Sequence, residues 1–186
     1  NVSRILFSAF CLLPFALADV ATFQTFDVRE ATIADIHAAM RAKKLTCRAL
    51  VDGYLKRIEL YDKQGPPLNA IVVVNPNAVK EAEEMDRRFA QSGMIGPLHC
   101  IPMIVKDNFE TIGLQSAAGS ITMQGFVSDK DAYQVKKIKA AGAIVLAKSN
   151  MGEFAFSPQE TRNSLQAHTR NPYDPTRVPA GSSGGT

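Results

Sequence analysis

The stretch CIPMIVKDNFE, residues 100–110, places a lysine directly after an apolar run. Residues 101–105 predict a short strand that Pro102 interrupts, so Lys106 would lie at the end of this strand. Burial at such a position lowers the pKa of an amine, and a lysine there can act as a base near neutral pH. The same spacing also fits a polar turn after a core strand, and spacing alone favours the turn.

Helical and strand-like patterns alternate on both sides of this stretch. Helices are predicted at residues 31–43 with Thr32 as N-cap, at 46–64 with Thr46 as N-cap, at 76–90, and from Asp129 to the residue before Gly142. Strands are predicted at 71–74 and 143–147, a short helix at 151–156 and a loop at 158–186. Because helices alternate with short apolar strands, we expect an α/β layered fold.

A second informative stretch is RVPAGSSGGT, residues 177–186, in which two serines lie among glycines. It contains the G-x-S-x-G pattern of a nucleophile elbow centred on Ser183. An elbow needs a preceding strand, however, and three prolines stand in that region: Pro172, Pro175 and Pro179. A phosphate-binding loop would also need a leading strand, and a lysine after the glycines. A plain flexible loop is the third interpretation.

The composition is that of an ordinary globular protein. The chain has 186 residues, of which 46% are hydrophobic and 21% charged, so a single folded domain is expected rather than disorder. The formal net charge is only +3. A solvated helix face explains the tight basic cluster Lys136, Lys137 and Lys139, because nucleic-acid binding usually needs a broad basic surface. We therefore expect no nucleic-acid partner.

The first 18 residues have the features of a signal peptide. Arg4 supplies a positive charge, residues 5–18 are largely apolar, and Ala16-Leu17-Ala18 fits the pattern of a signal-peptidase site. Pro14 and the shortness of the run argue against a stable membrane span, which needs about 20 apolar residues. We expect a secreted or secretory-pathway protein; a buried N-terminal helix and an intracellular location are the alternatives.

Cysteines and histidines form no recognisable framework. Loss of the signal peptide would remove Cys11 and leave Cys47, in a predicted helix, and Cys100, before a predicted strand. Two cysteines can pair in a secreted protein but are not a disulfide framework, so two separate buried thiols are expected. The histidines are scattered, at His37, His99 and His168. Without clustered Cys/His spacing, no metal site is predicted.

Taken together, the motifs of residues 97–186 resemble the amidase signature family. In chain order they are PLHCIP at 97–102, VKDN at 105–108, AGS at 118–120, AGAIV at 141–145, KSNMGEFA at 148–155, NP at 171–172 and GSSGG at 181–185. Residues 31–75 resemble the N-terminal helices and first strand of the family more loosely. The resemblance implies a three-layer α/β/α fold with a mixed central sheet. Residues 19–186 would then be the N-terminal part of a single amidase domain.

The resemblance also implies a Ser–cisSer–Lys triad. Lys106 would be its base, and Ser182, the serine after a cis peptide bond, would pass protons between Lys106 and a nucleophilic serine beyond Thr186. Its loop would be supported by Gly181, Ser183 and Gly184. No metal or organic cofactor is implied. Residues 1–186 alone are expected to be inactive, because the nucleophile and the oxyanion hole next to it would be missing.

The expected function is hydrolysis of carbon–nitrogen amide bonds through an acyl-enzyme, with small amides or acylated amines as substrates. One alternative is the amide-cleaving subunit of a glutamine-dependent aminoacyl-tRNA amidotransferase, against which the signal peptide argues. A non-catalytic amidase-like binding module is a second alternative. An esterase with Ser183 as nucleophile is a third, and it would need a downstream aspartate and histidine.

Two positions depart from the family pattern. Cys100 and Ala180 stand where the family usually has glycine. Both side chains are small, so we expect them to be tolerated. If the backbone at either position needs a positive φ, a side chain there would introduce strain.

Overall fold

Three strands form a mixed sheet in the part of the chain that the computed structural model describes, residues 26–186. They are β1 (Ile71–Val74), β2 (Pro102–Lys106) and β3 (Ile144–Ser149). β3 lies in the middle, antiparallel to β1 and parallel to β2. Every residue of β3 is buried, which explains its nearly continuous apolar sequence. The predicted signal peptide, residues 1–18, lies outside the described residues.

Four α-helices lie within the described residues: α1 (Ile33–Arg41), α2 (Cys47–Ile58), α3 (Ala78–Ser92) and α4 (Tyr133–Ala140). A π-helical segment, Glu59–Gln64, extends α2 up to the predicted Gly-Pro-Pro stop. The longest of the four is α3, with 15 residues. No helix of residues 26–186 is both long enough and apolar enough to cross a membrane.

The predicted N-caps of α1 and α2 are confirmed. Thr32 Oγ1 accepts a hydrogen bond from Asp35 N at 3.1 Å, and the Asp35 carboxylate accepts one from Thr32 N at 3.1 Å. This reciprocal pair is a capping box. Thr46 Oγ1 accepts from Ala49 N at 3.0 Å. In both helices a side chain satisfies a backbone donor that the first turn leaves unpaired, so the local sequence alone sets where each helix begins.

Helices cover both faces of the sheet. Ile144 and Leu146 of β3 pack in one apolar cluster with buried residues of α1, α2 and α3. Val145, which lies between them in the strand, packs in a second cluster with Val135 of α4. Successive side chains of a strand point to opposite faces, so β3 contributes to both cores. The predicted three-layer arrangement with a mixed sheet is thus confirmed for the described residues.

α4 begins later than predicted, at Tyr133 instead of Asp129. The segment before it binds the loop that follows β2. There the Asp131 carboxylate accepts a hydrogen bond from Ile112 N at 2.9 Å and also binds Lys139 Nζ of α4 at 2.8 Å. Contacts to a distant loop therefore decide where the helix starts, and an N-cap prediction from local sequence does not include them.

The short helix predicted at residues 151–156 is reduced to a single 3₁₀ turn, Glu153–Ala155. Phe154 and Ala155 have φ values of 46° and 61°, in the left-handed region, so a right-handed helix cannot continue through them. The chain then enters a long irregular segment, as predicted for residues 158–186.

Cys47 and Cys100 form a disulfide, so the expectation of two separate thiols was wrong. Cys47 is the first residue of α2, and Cys100 lies two residues before β2. Their Cα atoms are 5.4 Å apart, and both residues are fully buried. The bond joins positions 53 residues apart and ties α2 to the strand that carries Lys106. Such proximity depends on how α2 packs against the sheet, which local sequence patterns do not show.

Candidate active site

The predicted base and the predicted bridging serine are in contact. Lys106 is the last residue of β2, and its Nζ lies 2.6 Å from Ser182 Oγ, although 76 positions separate the two residues. Burial lowers the pKa of the half-buried Lys106 amine from its usual value of 10.5. A lowered pKa increases the neutral fraction of the amine at a given pH. Lys106 is thereby better able to accept a proton from the serine hydroxyl.

The peptide bond between Gly181 and Ser182 is cis, as the resemblance predicts. The Ser182 carbonyl oxygen accepts a hydrogen bond from Gly152 N at 2.9 Å, which fixes this peptide against the turn after β3. A Cβ atom at position 181 would collide with the carbonyl oxygens of Ser157 and Glu160. Only glycine therefore allows the backbone to approach this closely beside the bridging serine.

Gly184 also allows a close approach, on the other side of the serine pair. A Cβ atom there would collide with Thr161 Oγ1 and with the Ala180 carbonyl oxygen. Thr161 Oγ1 donates a hydrogen bond to that same carbonyl at 3.0 Å. The glycine thus leaves room for the bond that holds the residues before Ser182.

Ser183 occupies a different environment from Ser182. Its side chain is exposed and makes no hydrogen bond to any residue of 26–186. Within these residues its backbone carbonyl contacts the loop instead, accepting from Thr186 N at 3.1 Å, and support of the loop by the hydroxyl stays a prediction. Residues 157–182 contain no strand that could lead into a nucleophile elbow centred on Ser183.

Cys100 and Ala180, where the family usually has glycine, both adopt positive φ, with values of 64° and 67°. An L residue in this region costs about 1–2 kcal/mol, so the condition for the predicted strain is met at both positions. Tertiary contacts hold each residue in place. The disulfide to Cys47 anchors Cys100, and the hydrogen bond from Thr161 anchors Ala180.

Side-chain amides hold the irregular segment that carries Ser182. Residues 157–186 contain no helix or strand. Asn150, directly after β3, donates from Nδ2 to two backbone carbonyls, each at 3.1 Å, and to Thr169 Oγ1 at 2.9 Å. Asn163 Nδ2 donates to Asn150 Oδ1 at 2.6 Å. The position of Ser182 is thus set by polar contacts to the end of β3 instead of by regular secondary structure.

Two residues at the end of β3, one in contact with Thr186 and one with the turn after Lys106, were not predicted as part of the site. Ser149 Oγ lies 2.9 Å from Thr186 Oγ1. Lys148 is fully buried, and burial lowers its pKa to about 8 against an opposing effect of the Asp107 carboxylate. The sequence does contain a signal for Lys148, since a lysine within a buried apolar strand needs polar partners inside the protein.

The Lys106–Ser182 pair can accept a proton and pass it on. Within residues 26–186, Lys106 is the hydrogen-bond partner of Ser182 Oγ. A cleft of about 270 Å³ opens beside this pair, between β2 and α4, and its lining includes Lys106, Ser183 and Thr186. Larger surface depressions lie elsewhere and do not include the pair. The cleft therefore gives access from solvent to the candidate base.

Comparison with known proteins identifies the family. The family model described as Amidase matches residues 49–186. A glutamyl-tRNA(Gln) amidotransferase subunit from Alkaliphilus metalliredigens is 39% identical over 160 residues, which cover 86% of this chain and 32% of the relative. The chain spans about a third of the length of the curated relatives it matches.

Solved structures agree with this assignment. Peptide amidase from Stenotrophomonas maltophilia is 40% identical with a TM-score of 0.79, covering 84% of this chain and 33% of that chain. An amidase family protein from Bacillus anthracis is 34% identical with a TM-score of 0.79, and the match covers 85% of this chain and 32% of that chain. A bacterial aryl acylamidase of the amidase signature family is 26% identical with a TM-score of 0.75, and the match covers 83% of this chain and 32% of that chain. The chain belongs to the amidase signature family.

Proposed function

We propose that the full-length protein hydrolyses the carbon–nitrogen bond of small amides, with Lys106 as base and Ser182 as proton bridge. The observation that carries this proposal is the 2.6 Å contact between Lys106 Nζ and Ser182 Oγ. Burial lowers the pKa of Lys106, which increases the fraction of neutral amine that can accept a proton and so supports the proposal. Membership of the amidase family supports the reaction class.

The reaction would proceed in two stages. Neutral Lys106 takes the proton of Ser182 Oγ as Ser182 takes the proton of a nucleophilic serine located after Thr186. That serine attacks the carbonyl carbon, and the amine leaves with the proton returned through Ser182. Water then attacks the acyl-enzyme by the same relay, which releases the carboxylic acid and restores the serine. Lys106 and Ser182 thus act as base and acid in turn.

Small amides or acylated amines are the proposed substrates. The names of two structural neighbours, a peptide amidase and an aryl acylamidase, support this class. The proposed mechanism needs no metal or organic cofactor. We further propose that residues 1–18 direct the protein to the secretory pathway. The Cys47–Cys100 disulfide supports this location, because disulfides persist mainly in oxidising compartments.

A glutamine-dependent amidotransferase subunit is the second candidate function. Curated relatives that are 34–40% identical carry the name of a glutamyl-tRNA(Gln) amidotransferase subunit, which favours it. The same Lys106–Ser182 relay would then release ammonia from glutamine. Hydrolysis of simple amides by the full-length protein, with no tRNA present, would separate the first candidate from the second.

Labelling with a fluorophosphonate tests the proposal. The full-length protein is expected to displace fluoride from the reagent and form a phosphonyl ester on one serine, which peptide mapping would place after Thr186. A label on Ser183 would overturn the mechanism in favour of the esterase. Absence of any label, in a protein that is folded by circular dichroism, would favour the non-catalytic binding module.

A further inference from the structure

Lys148 is a fully buried lysine, and the partners of its side-chain hydrogen bonds all lie on the segment that follows Lys106. Its Nζ donates to the Phe109 carbonyl oxygen and to Ser116 Oγ, each at 2.8 Å. Longer contacts reach the carbonyl oxygens of Gln115, at 3.2 Å, and Asp107, at 3.3 Å. An ammonium group has three N–H donors, so these acceptors use all of its donors. Lys148 therefore joins both ends of the 107–116 turn to β3.

A buried carboxylate lies near the positive charge of Lys148. The Asp107 carboxylate is fully buried, and its Oδ1 lies 4.0 Å from Lys148 Nζ. The other oxygen, Oδ2, accepts a hydrogen bond from Gly119 N at 3.0 Å. A buried ammonium is tolerated when a counter-charge and hydrogen bonds replace its hydration, and both are present here. The pair joins β3, the turn after Lys106 and the small-residue loop around Gly119.

These contacts hold the backbone directly after Lys106. Asp107 N donates to the Ser149 carbonyl oxygen at 3.2 Å, and Phe109 N donates to the Lys106 carbonyl oxygen at 3.0 Å. Lys148 binds the carbonyl groups of these same two residues after Lys106, Asp107 and Phe109. The backbone at the end of β2 is thus held by β3 through the main chain and through one buried side chain.

We propose that Lys148 is a positioning residue that fixes the turn after β2 and thereby aims Lys106 at Ser182. This role rests on the proposed function of the Lys106–Ser182 pair. Lys148 itself does not contact Ser182 or the cleft beside it. It acts on the reaction through the backbone to which the candidate base is attached, where a displacement of about 1 Å can cost up to about a hundredfold in rate.

The test compares Lys148→Met with two other variants of the full-length protein. Ser116→Ala removes one acceptor of Lys148 and leaves the ammonium in place. Lys80→Met is the control, because Lys80 is exposed on α3 and belongs neither to the 107–116 turn nor to the cleft beside Lys106. For each variant, kcat and KM for a small amide are measured at a single temperature together with the urea unfolding curve.

If Lys148 is a positioning residue, Lys148→Met lowers kcat about tenfold to a hundredfold in the folded protein, while KM stays within about twofold. Ser116→Ala lowers kcat by a smaller factor, about threefold, and Lys80→Met leaves it unchanged. A purely structural role predicts a shifted urea midpoint with unchanged kcat, and that result would overturn the proposal.

Should Lys148→Met not fold, unchanged kcat in Ser116→Ala would overturn it equally. Loss of kcat in Lys106→Ala but not in Lys148→Met would refute only the positioning role, whereas normal kcat in Lys106→Ala would refute the proposed function.

Discussion

Replacing Lys106 with alanine is expected to lower kcat for amide hydrolysis by at least about a hundredfold in the full-length protein, with the fold preserved. General-base catalysis typically contributes about 10²–10⁴-fold, and alanine removes the base completely. Stability should change little, because Lys106 lies at a strand end, half-buried, and is not part of either apolar cluster. Initial rates with a small amide and a thermal melt measure the two effects.

Lys136→Ala is the control for this experiment, since Lys136 is exposed on α4 and far in sequence from the pair. Its kcat is expected to match that of the wild type. The pH profile adds a second check: catalysis needs the neutral amine, so kcat/KM should rise with pH through the lowered pKa of Lys106. A near-normal kcat in Lys106→Ala would remove Lys106 from the mechanism.

Removing the Cys47–Cys100 disulfide is expected to lower the free energy of unfolding by about 4 kcal/mol. Cross-linking residues 53 positions apart restricts the unfolded chain, and the loop-closure relation gives this order of magnitude. Both cysteines are fully buried, so the bond should resist reductants while the protein is folded. The measurement is urea denaturation of the Cys47→Ala/Cys100→Ala variant against the oxidised wild type.

A second double variant, Cys47→Ala/Cys100→Gly, separates the bond from the backbone strain. Both variants lack the disulfide, but glycine adopts the positive φ of position 100 without the steric cost of a Cβ atom. It should therefore be about 1 kcal/mol more stable than the alanine variant. Equal unfolding midpoints for the wild type and both variants would show that the two thiols are not joined in solution.

Most of the secondary structure could be predicted because it depends on local signals. The caps Thr32 and Thr46 mark where α1 and α2 begin, and the β-branched run at residues 71–74 matches β1. Contacts between distant residues explain the differences. Asp131 binds the loop at Ile112 and so delays the start of α4.

Local sequence patterns predicted less of the candidate site than of the secondary structure. Spacing alone favoured a polar turn at Lys106, and the pairing of Lys106 with Ser182 came from the resemblance to the amidase signature family. The reason is physical, since the contact spans 76 positions and depends on an irregular segment that Asn150 holds. The partners of Lys148 and the Cys47–Cys100 bond likewise depend on how separate elements pack.

The most direct test of the proposed relay compares two neighbouring serines in the full-length protein. Ser182 Oγ contacts Lys106, whereas the Ser183 side chain is exposed and makes no hydrogen bond within residues 26–186. Ser182→Ala should therefore reduce kcat for a small amide by at least about a hundredfold, while Ser183→Ala should stay within about threefold of the wild type. The reverse order, with Ser183→Ala inactive and Ser182→Ala near normal, would contradict the relay and favour Ser183 as the nucleophile.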